Sequence, residues 1–195
     1  MRTPRWSWSA NVAAVLACAL GAVGCGGSSR SSSGGGGTGT TNPAQVGSNY
    51  WYVNDTYGNP LKTHDATEAT LAQEVLILLN QERAANGRAA LSADASATQA
   101  AKAHVEDMRG RSYFAHNSPE GWTPLTRLQL LGASGFSRVG ENIAMGQPTP
   151  TAVMNAWMNS AGHRANILDP AYTHVGIGVV RTPGPYWAQV FLTRP

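Results

Sequence analysis

From Gly26 to Thr41 the chain is glycine, serine or threonine at every position but Arg30. A run of that composition has nothing to bury and no preferred backbone conformation, so it reads as a flexible leash. It divides the 195 residues into a leader and a folded body. The body must come from residues 63–195, and a domain of roughly 130 residues buries enough surface to stand without cross-links.

The leader carries Arg2 and Arg5 ahead of an apolar stretch from Val12 to Val23. A positive start, a short apolar run and small residues before a cleavage point make a secretory signal. The run is shorter than the ~20 residues a membrane-spanning helix needs. Ala22-Val23-Gly24-Cys25 resembles the lipobox ahead of a lipidated cysteine, although Ala22 stands where leucine is usual. We therefore expect a signal peptide over 1–24, lipidation at Cys25 and a tether through residue 62. The protein would sit outside the cytoplasm as a cell-membrane or outer-membrane lipoprotein. An ordinary signal peptidase would also accept Ala22 and Gly24, and the alternative is a soluble secreted or periplasmic protein. Residues 42–62 hold Tyr50, Trp51, Tyr52 and Tyr57 and could strap onto the domain surface, while Asn54-Asp55-Thr56 reads as a plain turn.

Cys18 and Cys25 are the two cysteines, so the body has no disulfide despite its oxidising destination. The net charge of +3 falls to near +1 without the two leader arginines, and no Lys/Arg cluster follows. That leaves no electrostatic footprint for a phosphate backbone, and nucleic acid is excluded as a partner.

In the body, Asp65 with Glu68 fits a capping box, and Leu71, Val75, Leu78 and Leu79 form one helical stripe ended by Asn86-Gly87. Ser92 or Asp94 can cap a second helix with Ala97, Ala101, His104 and Met108 on its inner face. His104 is expected to be a partly buried or edge histidine. Thr123-Pro124 and Thr149-Pro150 each place Pro at a first helical position. Leu125, Leu128 and Leu131 would bury the third helix, and Val153 with Trp157 the fourth. His174–Val180 and Tyr186–Leu192 read as a hairpin, with Val139–Met145 as a further strand. Helices with an antiparallel sheet in this order predict an α+β fold.

Four stretches then stand out together: Tyr113-Phe114-Ala115-His116-Asn117-Ser118-Pro119, Gly140-Glu141-Asn142-Ile143-Ala144, Trp157 to Leu168 (WMNSAGHRANIL), and Val175-Gly176-Ile177-Gly178-Val179. In this order and spacing, behind Leu79-Asn80-Gln81-Glu82-Arg83, they resemble bacterial members of the cysteine-rich secretory protein, antigen five and pathogenesis-related (CAP) superfamily. The likeness covers about residues 68–192. It implies a three-layer α-β-α sandwich with a central antiparallel sheet and a cleft on one side. In many members two histidines and two acids converge in that cleft. His116, Glu141 and His163 match three of them. Ser160 stands where the second acid is expected, a departure often seen in the bacterial branch.

Two imidazoles and a carboxylate suit a borderline divalent ion such as zinc, or a proton-transfer pair with the carboxylate fixing a tautomer. With the second acid missing, any such ion is expected to bind weakly. No Gly-x-Ser-x-Gly or His-Glu-x-x-His occurs, and the one thiol after residue 24 is at the tether. Glu141 could instead pin a loop through backbone hydrogen bonds, and Gly140 and Gly162 could serve tight turns. Arg164 and Asn166 are read as loop ties. The resemblance leaves three classes: a module binding a ligand, such as a lipid or cell-wall component, or a metal; a hydrolase using the cleft; or a structural envelope protein with a vestigial cleft. The missing nucleophile favours the first.

Overall fold

A computed structural model describes residues 64–181 and 184–195. The signal, Cys25, the leash, the aromatic stretch and the Asn54 turn lie outside the described residues. Helix α1 (Ala66–Ala85) begins in the expected capping box: Asp65 accepts from the Glu68 amide at 2.8 Å while Glu68 accepts from the Asp65 amide at 3.2 Å. Its end at Asn86-Gly87 needs the positive φ of Gly87 (67°), which glycine adopts without strain. Asp94, not Ser92, caps α2 (Ala95–Gly110). Thr123 caps α3 (Pro124–Leu130) and Thr149 caps α4 (Pro150–Met158), each with Pro at the first turn.

The short β1 (Ser92–Ala93) precedes α2; β2 (Arg138–Met145) follows α3, and β3 (His174–Val180) and β4 (Tyr186–Thr193) close the chain. The strand order is β1-β3-β4-β2. The three long strands pair antiparallel, as expected, but β1 pairs parallel with β3, so the sheet is mixed. A two-residue strand offers no alternation to read, which hides it in the sequence. Also unforeseen is α5 (Ala161–Leu168). It turns His163 from a loop residue into a helical one.

Alternation along β4 sends Trp187 and Phe191 to one face and Ala188, Val190 and Leu192 to the other. On the first face lie α1, α4 and α5, with Val75, Leu79, Val153, Trp157 and Ile167 buried. On the second lie α2 and α3, with Ala97, Ala101, Val105 and Leu128 buried. The result is the three-layer α-β-α sandwich. α2 lies almost on the sheet because β3 presents glycine to it. A Cβ on Gly176 would fall 2.0 Å from the Thr98 nitrogen, and one on Gly178 would fall 2.3 Å from the Ala101 carbonyl carbon.

The third helix departs from its expected stripe. Leu128 is fully buried, but Leu125 is 43% exposed, and the inward position is taken by Arg127. Gly140 is not a turn residue but a contact residue, since its Cβ would strike the Tyr172 hydroxyl at 2.2 Å. Gly162, inside α5, has neither a positive φ nor a close neighbour, so no turn explains it.

Candidate functional site

Glu141 sits mid-way along β2, on the face covered by α2 and α3, with its side chain only 1% exposed. A buried carboxylate costs several kcal/mol unless it is paired and hydrogen-bonded. Here both oxygens are occupied. Oε2 accepts from Nη2 of Arg127, itself fully buried, and Oε1 accepts from Nδ1 of His116 at 2.9 Å. Nε2 of His104 lies 3.9 Å from Oε1. Burial pushes the Glu141 carboxyl up, but the His116 hydrogen bond and the charges of Arg127 and the two histidines outweigh it. Its pKa is therefore held below the ordinary value. The partners are side chains, so the alternative reading of Glu141 as a backbone pin for its loop gives way to an ion-pair role.

An ionised Glu141 fixes the tautomer of His116. Nδ1 carries the hydrogen donated to the carboxylate, and Nε2 is left for a ligand on a side chain 52% exposed. The loop holding His116 is clamped from below. Arg127 Nη1 donates to the carbonyls of His116 (2.8 Å) and Trp122 (3.0 Å), and His104 Nε2 donates to the Ala115 carbonyl (3.0 Å). Upstream, Arg111 binds Asp107 through Nε and Nη2 (2.6 and 2.5 Å), and the Tyr113 hydroxyl donates to the same carboxylate. His104 is thus wholly buried, not an edge residue, and burial drives its pKa down to about 4. The neutral ring leaves Nδ1 without a hydrogen-bond partner.

His163 approaches from the opposite face. β2 is an edge strand, and the next residue, Asn142, points to the side of α5. Asn142 Nδ2 donates to the His163 carbonyl (3.1 Å) and to Gln189 Oε1 (3.0 Å). Asn166 Nδ2 donates to the Glu141 carbonyl (3.2 Å) and to Asn142 Oδ1 (2.9 Å), the tying role expected of it. The site therefore wraps around the sheet edge, with the His116 loop on one side and α5 on the other. Burial lowers the pKa of half-buried His163, and the charge of His116 lowers it further. Ser160 is the N-cap residue of α5, makes no capping hydrogen bond and supplies no carboxylate.

Among the described residues, no three His, Cys, Asp or Glu side chains converge as a metal cage. Both Glu141 oxygens accept hydrogen bonds, from His116 and Arg127, so the carboxylate stands behind the His116 ring. Two imidazoles remain, which fits an open, exchangeable site with a carboxylate–histidine arrangement behind it and does not fit a closed structural site. Arg127 and His104 escaped the sequence reading as members of the site. The one available signal was a histidine on the inward stripe of α2; Arg127 lies off the Leu125, Leu128 and Leu131 stripe that the sequence offers for α3.

The model of the cysteine-rich secretory protein family, CAP, matches residues 76–191, more than half of the chain. This chain belongs to that family. The CAP domain here is 40% identical over 138 residues to the uncharacterized protein YkwD of Bacillus subtilis (strain 168), covering 68% of this chain and 53% of that protein. It is 36% identical over 127 residues to the uncharacterized membrane protein YlbC of the same strain, covering 65% and 36% respectively. The chain thus spans about half or less of these relatives. Among solved structures, an extracellular SCP-domain protein from Bacillus anthracis superposes with a TM-score of 0.61 at 34% identity, covering 66% of this chain and 41% of that one. This is a bacterial type of CAP domain, whose neighbours are extracellular or membrane proteins.

Proposed function

We propose that this CAP protein is an extracytoplasmic module, tethered to the membrane through Cys25 and its Gly/Ser leash, that binds a ligand or a weakly held divalent ion in the His116–His163 cleft. The observation that carries the reading is the 2.9 Å bond from His116 Nδ1 to a carboxylate buried and charge-paired behind it. A buried ion pair is costly to maintain, and here it orients an exposed ring toward solvent. His116 Nε2 and His163 would hold a zinc-like ion, which would supply Lewis acidity. Glu141 would fix the His116 ring, and Ser160 would leave His163 without an orienting acid.

Titrating zinc into the protein at pH 7.5 tests this. Binding should be weak, should be lost in His116→Ala and in His163→Ala, and should weaken as pH falls below about 6.5, where imidazoles protonate. Equal heats in parent and variants would remove the shared ion. Intact mass from the membrane fraction tests the tether: lipid on a chain starting at Cys25 is expected, and an unmodified Cys25 terminus or an uncut precursor would count against it.

The same dyad favours a second reading. A histidine with a carboxylate on Nδ1 and a free Nε2 is the arrangement of a general base. Under that reading the protein is a hydrolase, and activity on ester or amide substrates would vanish in His116→Ala.

A further inference from the structure

The two halves of the cleft meet on one peptide. Glu141 and Asn142 are neighbours on β2, and alternation sends their side chains to opposite faces of the sheet. Glu141 holds the His116 ring on one face. On the other, Asn142 is fully buried and every polar atom of its amide is used. Nδ2 places its two hydrogens on the His163 carbonyl (3.1 Å) and Gln189 Oε1 (3.0 Å), and Oδ1 accepts from Asn166 Nδ2 (2.9 Å). Gln189, opposite Asn142 on β4 and equally buried, is itself oriented, because its Nε2 donates to Met154 Sδ at 3.5 Å.

α5 is held along the strand as well as against it. His163, Asn166 and Ile167 share one stripe of the helix, three and four residues apart. Ile167 is fully buried, and Asn166 Nδ2 also donates to the Glu141 carbonyl at 3.2 Å. Two residues on, the Ile143 carbonyl accepts from Trp157 Nε1 of α4 at 3.2 Å. β2 ends the sheet, so α4 and α5 pin its backbone at two alternate residues.

Packing alone does not call for these amides. The core on this face is built from residues such as Val75, Val153, Trp157, Ile167 and Phe191. Replacing both partners of a buried hydrogen bond by apolar groups of similar shape is often close to neutral for stability. A fully satisfied buried polar network does something packing does not, which is to fix a single arrangement of its members. We propose, resting on the reading of His116 and His163 as one binding site, that Asn142, oriented by Gln189, is a positioning residue for the cleft. It sets the place of His163 relative to His116, so that both rings are in place for one ligand before it arrives.

Zinc alone, titrated at pH 7.5 into the full chain held in detergent, tests this through variants that leave both imidazoles intact. Asn142→Leu/Gln189→Leu should keep a urea midpoint near the parent's, yet bind zinc about tenfold or more weakly. In that background His163→Ala should cost little more, because its ring is already out of place, while His116→Ala should still abolish binding. Asn166→Ala, at a partly exposed position, should weaken binding in the same direction, and it decides alone if the double variant folds poorly. Parent affinity in these variants would overturn the proposal, as would a His163→Ala effect as large as in the parent background. If the parent binds no zinc, the shared-ion reading fails by itself, and exchange of the Ile167 amide in α5 decides the positioning. Faster exchange in the double variant, with the Val105 amide of α2 unchanged, supports it; equal rates overturn it.

Discussion

Glu141 and Arg127 are buried together, and each is tolerable only because of the other. Replacing Glu141 with Gln leaves a fully buried guanidinium without its counter-charge. Urea denaturation should show a loss of about 3–5 kcal/mol. His116→Ala, at a half-exposed ring, should cost under about 1 kcal/mol, so the two substitutions separate folding from ligand binding. His104 makes stability depend on pH. Unfolded, it takes up a proton below about 6.5; folded, only below about 4. Between those values the unfolded chain binds more protons, so stability is full above about 6.5 and declines as pH falls toward 4. The loss should approach about 3 kcal/mol for this residue. His64 and His163, also lowered, act in the same direction. Denaturation midpoints across that window should fall steeply for the parent and less steeply for His104→Gln, which keeps a donor for the Ala115 carbonyl without titrating.

At the scale of elements, helix α4 packs on the sheet through Val153, Met154 and Trp157, and Trp157 is the largest of the three. Trp157 is 1% exposed, and its Nε1–H donates to the Ile143 carbonyl at 3.2 Å, next to the strand positions that carry Glu141 and Asn142. Trp157→Ala should cost roughly 3–5 kcal/mol in thermal or chemical melts; a variant as stable as the parent would contradict this packing. On the other face α2 depends on absence of side chains. Gly178→Ala would thrust a Cβ into the α2 backbone at Ala101, and with backbone as the obstacle the helix itself must shift. The expected penalty is at least ~1–3 kcal/mol, the usual cost of overpacking, with faster hydrogen exchange along α2 as its signature.

Taken together, the described residues are held by two apolar cores, one on each face of the sheet, and by polar ties between distant segments. Arg194, just past β4, binds Asp94 (2.5 Å), Ser96 (2.9 Å) and the Ser134 carbonyl (2.7 Å), tying the segment after β4 to the start of α2. Lys102, 2% exposed, joins Glu68 of α1 at 2.6 Å to the carbonyl of Val179. None of these ties is covalent, and no cysteine follows Cys25. The melting temperature of the protein should therefore be the same with and without excess dithiothreitol. A shift of several degrees would mean that a thiol contributes to the fold.

Local chemistry determined by the sequence alone accounts for much of this protein. The capping box at Asp65, the Thr-Pro helix starts, the alternation of β3 and β4, and the motifs carrying His116, Glu141 and His163 all act within a few residues, so they are legible in order along the chain. The sequence also placed Ser160 where an acid was expected. What only the tertiary structure decided depends on long-range encounters. Arg127 meets Glu141 across 14 positions and His104 meets it from another helix, and nothing local marks a buried arginine until its carboxylate is in place. The parallel pairing of the two-residue β1 and the wrapping of His163 around the edge of β2 likewise come from packing. A two-residue strand has no period, and the position of α5 is set by hydrogen bonds from Asn142 and Asn166 that form only once the sheet and helices have met.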